Sequence, residues 1–172
     1  MKDGRQGGTL RNRLRELPPV CLLAAVCRLL SGRLRLTRER ADEVFATGGG
    51  FFRPFRRIID TKAEAGEKTC VFSVRFRFSR LTEPQNRLAS ILPMLFIAGH
   101  PGFRCKVYSS DAESGRWMGL YEWASLGRLE AYRRSPVYRV MKKRAVGGTV
   151  FETIHPESDI DGVIRLWSEE AQ

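Results

Sequence analysis

From Thr69 to Ser79 the chain reads TCVFSVRFRFS, and apolar and polar side chains alternate along it. Cys70, Phe72, Val74, Phe76 and Phe78 fall on one side, Ser73, Arg75 and Arg77 on the other, which is the period of a strand. The period then changes. Thr82 with Gln85 three residues on has the form of a capping box, and Leu88, Ile91, Leu92, Leu95 and Phe96 follow at the spacing of one helix face. Pro93 inside that run predicts a kink, and Gly99 a stop. GFRCKVYS and RWMGLYEWA return to strand character around the turn-forming SDAESG, so a hairpin is expected. Ser125 opens a second helix, SLGRLEAYRRSPVYRVMKKR, broken and restarted at Ser135-Pro136. After Gly147-Gly148 comes a last strand, TVFETI. The order β-α-β-β-α-β predicts an α+β, ferredoxin-like unit: an antiparallel four-stranded sheet with its helices on one face.

The flanks read differently. Residues 1–17 are rich in Gly and Arg without an apolar period, which predicts a mobile basic arm. Pro18-Pro19 opens a helix to about Leu30. A second is expected from Thr37, with Ala41, Val44 and Phe45 inward and Gly48-Gly49-Gly50 as its end. FFRPFRR follows, aromatic and basic together, and the polar stretch 61–68 reads as a linker. The predicted organisation is a basic arm with a two-helix extension over 1–66, the ferredoxin-like domain over 67–155, and a tail over 156–172. That tail holds one short helix, with Ile160, Val163, Ile164 and Trp167 on its apolar side.

Composition changes this picture in a few places. At 172 residues, 42% hydrophobic and 28% charged, the chain suits one globular domain with an extension. Its net charge of +11 directs attention to anionic partners such as nucleic acid, a phospholipid surface or an acidic small molecule. The four cysteines have no CxxC spacing, so they are expected to be reduced thiols in a cytoplasmic protein. The apolar run from Leu17 to Leu30 is interrupted by Arg28 and is too short to span a bilayer. It lacks an A-x-A-like cleavage site, so a packed helix is expected in preference to a signal or anchor.

In a split β-α-β arrangement the strand RWMGLYEW lies between the other two. The helices should cover the face of Phe72, Val74, Phe76, Phe78, Phe103, Cys105, Val107, Trp117, Tyr121 and Trp123. The opposite face then carries Arg75, Arg77, Arg104, Lys106, Tyr108, Met118, Leu120 and Glu122, with Glu122 placed to offset its basic neighbours. Only a bulge in their strand would turn Arg104 and Lys106 toward the cavity side, where they could attract an anionic substrate.

The Pro101-Gly102-Phe103 strand entry, the GLYEW strand and a second helix bearing Tyr132 and Tyr138 resemble the dimeric α/β-barrel superfamily. The likeness is greatest to the small YdhR-type mono-oxygenases, relatives of the antibiotic-biosynthesis mono-oxygenases, and covers roughly residues 69–155. The resemblance implies a homodimer whose two sheets form one barrel, through the charged face of Arg75, Arg77, Arg104, Lys106 and Glu122. It also implies a planar aromatic substrate held between sheet and helices. The reaction would use no metal, flavin or other cofactor, the substrate's own anion reacting with oxygen.

Trp117, Gly119, Tyr121, Trp123, Phe76, Phe103 and Tyr132 are the expected substrate-binding residues. Aromatic walls with a few polar groups suit such a pocket, and a glycine inside a strand marks a close approach. Packed core is the competing reading for each aromatic. His100, between a helix end and a strand, is the candidate catalytic base, since imidazole titrates near neutrality; a solvated turn histidine is its plain alternative. His155 reads as structural, and two histidines outside the main helices disfavour haem. No metal site, phosphate loop or hydrolase motif occurs. The competing function is a non-enzymatic small-molecule-binding or structural dimer of the same fold. RNA binding is disfavoured because RFRF lacks the aromatic signature of RNA-recognition motifs. Membrane-surface binding through residues 18–57 is less favoured than their folding back on the sheet.

Overall fold

The computed structural model describes residues 14–38, 43–48, 50–63, 69–78 and 82–169. In chain order the elements are α1 (Pro18–Leu30), β1 (Leu34–Thr37), β2 (Phe45–Thr47), β3 (Gly50–Asp60), β4 (Cys70–Arg77), α2 (Glu83–Ala89) and α3 (Ile91–Ala98). They continue with β5 (Phe103–Asp111), β6 (Arg116–Trp123), α4 (Leu126–Arg134), α5 (Pro136–Arg144), β7 (Phe151–Pro156) and α6 (Ile160–Glu169). The strands lie in the order β1-β3-β5-β6-β4-β7, with β2 paired to β3, and every pairing is antiparallel. Its β7-β4-β6-β5 part is the ferredoxin-like sheet, with β6 between β4 and β5 as expected. The sheet has seven strands, not four, because β3, with β1 and β2 paired to it, continues it beyond β5.

That continuation corrects the N-terminal reading. α1 forms, but in place of a second helix from Thr37 the chain makes β1 and β2; Ala41 lies outside the described residues. Val44 is exposed, Phe45 is buried in β2, and FFRPFRR is part of β3. The aromatic and β-branched content of Phe51 to Ile59 favours a strand. Pro54, which has no N–H to donate, sits at a register shift against β5, where a ladder bond is not required. The basic arm lies outside the described residues up to position 13, as do 64–68 of the expected linker.

α1 packs on the end of α3, and Gly99 makes this approach possible: a Cβ there would overlap the carbonyl of Cys21. Arg28 donates to the Ala98 carbonyl at 2.8 Å. No described helix is long and apolar enough to cross a membrane. All four cysteines are free thiols, with Cys27 exposed and the others buried.

The expected kink at Pro93 is a break at Ser90. Proline has no N–H for the Ala89 carbonyl and its ring crowds that group, so α2 ends at Ala89 and α3 starts at Ile91. The single apolar stripe does not survive this. Leu88 and Leu92 are exposed, while Met94, Ile97 and Ala98 are buried.

Both sheet faces carry a core. The first is covered by α1, α3, α4 and α5 and holds Phe72, Val74, Tyr108, Tyr121, Trp123 and Tyr132 among others. The second holds Val71, Val107, Met118 and Leu120 under Phe45, Phe52 and the α6 residues Ile160, Val163 and Ile164. The tail helix thus forms with its expected apolar side inward. The sheet face offered to a second copy is therefore largely occupied by this chain's own α6 and β2. Glu122 does offset a basic neighbour, accepting from Arg104 Nε at 2.8 Å, but it also takes the Ile160 N–H of α6 at 3.3 Å.

A β-bulge changes the rest of that face. The β5–β6 register runs Phe103↔Trp123 and then Cys105↔Glu122, one residue being extra around Arg104. An extra residue reverses the side-chain parity beyond it. Cys105 and Val107 therefore join the second core, and Lys106 and Tyr108 turn toward the helices. This reverses the expected assignment of Cys105, Val107 and Lys106.

Candidate functional site

A cavity of about 60 Å³ lies between the first sheet face and the helices α2, α3 and α5. Phe76, Trp117, Gly119 and Tyr121 line it from β4 and β6, and Lys106 and Tyr108 from β5. Alternate residues of β6 place three of these on one face. Ser90 and Pro93 close the helix side, and Lys142 and Arg144 of α5 add cations to the wall.

The space that Gly119 leaves is taken by the chain itself. A Cβ at this position would meet Cε2 of Tyr121 at 2.7 Å and its hydroxyl at 3.1 Å. The glycine lets the Tyr121 ring lie back over the strand, which fixes the ring's place in the cavity wall. Its role is to seat an aromatic.

Lys106 is 3% exposed, and none of the described residues supplies it with a carboxylate. Its Nζ lies 3.9 Å from the centre of the Tyr108 ring and 4.1 Å from that of Tyr121. These π faces recover part of the cost of burying an ammonium. Burial, and then the nearby charge of Arg56, hold its pKa well below the usual lysine range. The Arg56 guanidinium is directed elsewhere, donating to Ser90 Oγ at 2.7 Å and the Arg87 carbonyl at 3.0 Å.

Beside Lys106, the Tyr108 hydroxyl is buried with no hydrogen-bond partner among the described residues. Burial, then Tyr121, pushes its pKa well above the usual phenol value, against the pull of Arg56. A buried amine without a carboxylate and an unsatisfied hydroxyl in one cavity form a pair of polar groups suited to an acidic guest. Tyr138, across the cavity, is already engaged: it donates to Glu152 Oε1 at 2.6 Å, which Lys142 also contacts at 2.8 Å.

Of the residues expected from sequence, Phe76, Trp117, Gly119 and Tyr121 meet at this cavity. Trp123, Phe103, Tyr132 and His100 do not line it. They pack behind its wall in the same core, where Trp123 stacks on Tyr132 at 4.8 Å, His100 meets Trp123 edge-on at 5.5 Å, and Tyr132 lies 5.7 Å from the Tyr121 ring. His100 is fully buried rather than a solvated turn residue. Its Nδ1 lies 3.3 Å from the Pro101 carbonyl, and burial depresses its pKa. His155 lies against Trp167 on the other side of the sheet.

Sequence reasoning gave Lys106 a place at the cavity only if its strand held a bulge, and put Tyr108 on the far face. Strict alternation sends Lys106 to the far face, and the bulge that reverses it has no glycine or proline to announce it. Among the described residues, no three His, Cys, Asp or Glu side chains come together as a metal site.

The fold is that of the mono-oxygenase-like ferredoxin-fold proteins. A mono-oxygenase-like protein from Listeria innocua superposes with a TM-score of 0.50 at 13% identity, over 66% of this chain and 67% of its own. Two proteins of Listeria monocytogenes are less similar in structure. One, a ferredoxin-fold protein related to antibiotic-biosynthesis mono-oxygenases, has a TM-score of 0.48 at 16% identity, covering 69% of this chain and 70% of its own. The other, a haem-degrading enzyme, has 0.47 at 14%, covering 73% and 97%. No protein-family model and no curated protein sequence matches the chain.

Proposed function

We propose that this protein is a mono-oxygenase-type enzyme for a planar aromatic substrate with an acidic hydroxyl, such as a phenol or hydroquinone. The observation that carries this reading is Lys106, buried in an aromatic cavity with no counter-ion among the described residues. With burial lowering its pKa, its amine can take the hydroxyl proton as general base. The ammonium so formed lies against the Tyr108 and Tyr121 faces and pairs with the substrate anion, which is the electron-rich species that reacts with oxygen. For a hydroquinone, one oxygen atom enters the ring and the other leaves as water with two substrate hydrogens, giving a hydroxyquinone. Electrons come from the substrate, so the balance closes without a cofactor.

At about 60 Å³ the cavity is smaller than usual ligand pockets, so a ring must displace part of the wall. Met141, a flexible thioether in the lining, and the helix break at Ser90 are the parts able to yield.

The test is tryptophan fluorescence titrated with substituted phenols and hydroquinones, with oxygen uptake recorded in the same cuvette, on wild type, Lys106→Met and Gly119→Leu. Saturable quenching and oxygen loss are expected in wild type. Lys106→Met should keep some quenching and lose at least 100-fold in uptake, the low end of general-base effects being about 10²-fold. Gly119→Leu should lose both. Saturable quenching with no oxygen consumption would replace the enzyme with a binding protein. Uptake unchanged in Lys106→Met would remove the lysine from the chemistry.

A further inference from the structure

The second sheet face is not covered everywhere. At the end of β4 and β6 farthest from α6, a separate cavity of about 360 Å³ is lined by Arg75, Arg77 and Arg116, with Phe76 and Phe151 as its apolar walls. Among the described residues, no carboxylate lines it. Arg77 and Arg116 lie directly opposite each other in the β4–β6 register, a like-charge pairing that destabilises a sheet when nothing lies between the charges.

Arg75 is built into its place. Gly48, at φ +55°, offers bare backbone to the guanidinium, and a Cβ there would overlap it. Arg75 Nη1 donates to the Gly48 carbonyl at 2.8 Å, and the group lies 5.5 Å over the Phe151 ring. Burial, and then Arg116, lower its pKa. Arg77 is held by the Ser114 carbonyl through Nε at 2.9 Å. The carboxylate that faces this group from a neighbouring strand is Asp111, opposite Arg116 in β5. It is largely committed to its turn, accepting from the N–H groups of Glu113 and Ser114 at 3.0 and 3.2 Å. Two guanidiniums fixed by backbone carbonyls, with Arg116 beside them and one turn-bound carboxylate opposite, leave a concentrated positive site with flat apolar walls.

We propose that the Arg75–Arg77–Arg116 cavity binds the phosphate of a small organic phosphate monoester, whose apolar part lies against Phe76 and Phe151. A planar guanidinium offers paired N–H donors that match phosphate oxygens, and a dianion between Arg77 and Arg116 replaces their repulsion with attraction. A cavity of this volume falls in the range of small-molecule sites. The site is independent of the Lys106 cavity, although Phe76 stands in the wall of both.

The experiment is calorimetric titration of the full chain with phenyl phosphate, inorganic phosphate, phenol and a short single-stranded RNA at two salt concentrations. Phenyl phosphate is expected to saturate with a Kd of about 1 mM or tighter, at least fivefold tighter than inorganic phosphate, while any heat from phenol belongs to the Lys106 cavity and is unchanged by Arg77→Gln/Arg116→Gln. Arg77→Gln/Arg116→Gln should weaken it at least tenfold. An Arg139→Gln/Lys143→Gln pair, equal in charge change on the exposed side of α5, should leave it unchanged. Thermal unfolding of each variant checks that the fold is retained. If the Arg77/Arg116 variant fails to fold, Phe151→Ala takes its place and should reduce the preference for phenyl over inorganic phosphate. Equal weakening in the α5 control would reduce the effect to net charge and overturn the proposal. So would RNA binding tighter than phenyl phosphate through the same arginines, or no binding at 10 Kd of the expected value.

Discussion

Lys106 and Gly119 show how single positions set the chemistry of the cavity and what they cost the fold. A lysine whose pKa is depressed by burial binds fewer protons folded than unfolded. Between its folded value and the usual lysine value of about 10.4, the unfolded chain holds the extra proton, so stability rises with pH across that interval. Lys106→Met should remove this rise. It should also stabilise the protein near neutrality by roughly 1–3 kcal/mol, as apolar replacement of a buried charge does. Urea unfolding of both proteins at several pH values measures this; a wild-type stability that does not rise more steeply than the variant's would show that Lys106 keeps an ordinary pKa. For Gly119→Ala the new methyl meets the Tyr121 ring, and ring displacement should cost about 1–3 kcal/mol. A shift in tryptophan emission from the neighbouring Trp117 should accompany it, and an unperturbed spectrum would argue that the ring is not held by the glycine.

Among the elements, α1 is tied to the sheet through a buried carboxylate. Asp60 closes β3 with its side chain 1% exposed, at 2.7 Å from Arg33 Nε and 3.7 Å from Arg28 Nη1. Arg28 reaches it from α1, so this carboxylate joins helix, loop and strand. Removing one partner of a buried ion pair leaves the other uncompensated. Asp60→Asn should therefore cost about 3 kcal/mol, visible as a lower urea midpoint, with α1 amides exchanging faster with deuterium than those of β6. Uniform exchange throughout would show that α1 does not depend on this contact.

For the whole molecule, the consequence of the extension is that β5 is an interior strand. A chain beginning at Thr69 would retain the ferredoxin-like unit but expose the β5 edge and uncover Val107 and Met118, which Phe45 and Phe52 help to bury. Bare edges of this kind pair with other chains. Such a chain is expected to aggregate or oligomerise in size-exclusion chromatography with light scattering, and a monodisperse monomer would show that the extension is dispensable for the sheet.

The local elements from Thr69 to Trp167 were legible because their periods are strong and their boundaries carry chemistry: Thr82 with Gln85, Ser125, Ser135-Pro136 and the SDAESG turn. Helix order and strand order follow, since few topologies connect β-α-β-β-α-β. Four of the cavity residues were legible too, because β6 alternates without interruption. What the chain alone left undecided depends on partners distant in sequence. Residues 34–37, 45–47 and 50–60 become strands because β5 offers β3 an unpaired edge on which β1 and β2 can build, and no local propensity at Thr37 reports that. The Leu88–Phe96 stripe splits because α3 packs on α1. Lys106 reaches the cavity because one extra residue near Arg104 is accommodated in the pairing of β5 with β6. A bulge is a property of two strands in register, so the side chain that makes this cavity chemically interesting was placed by tertiary structure.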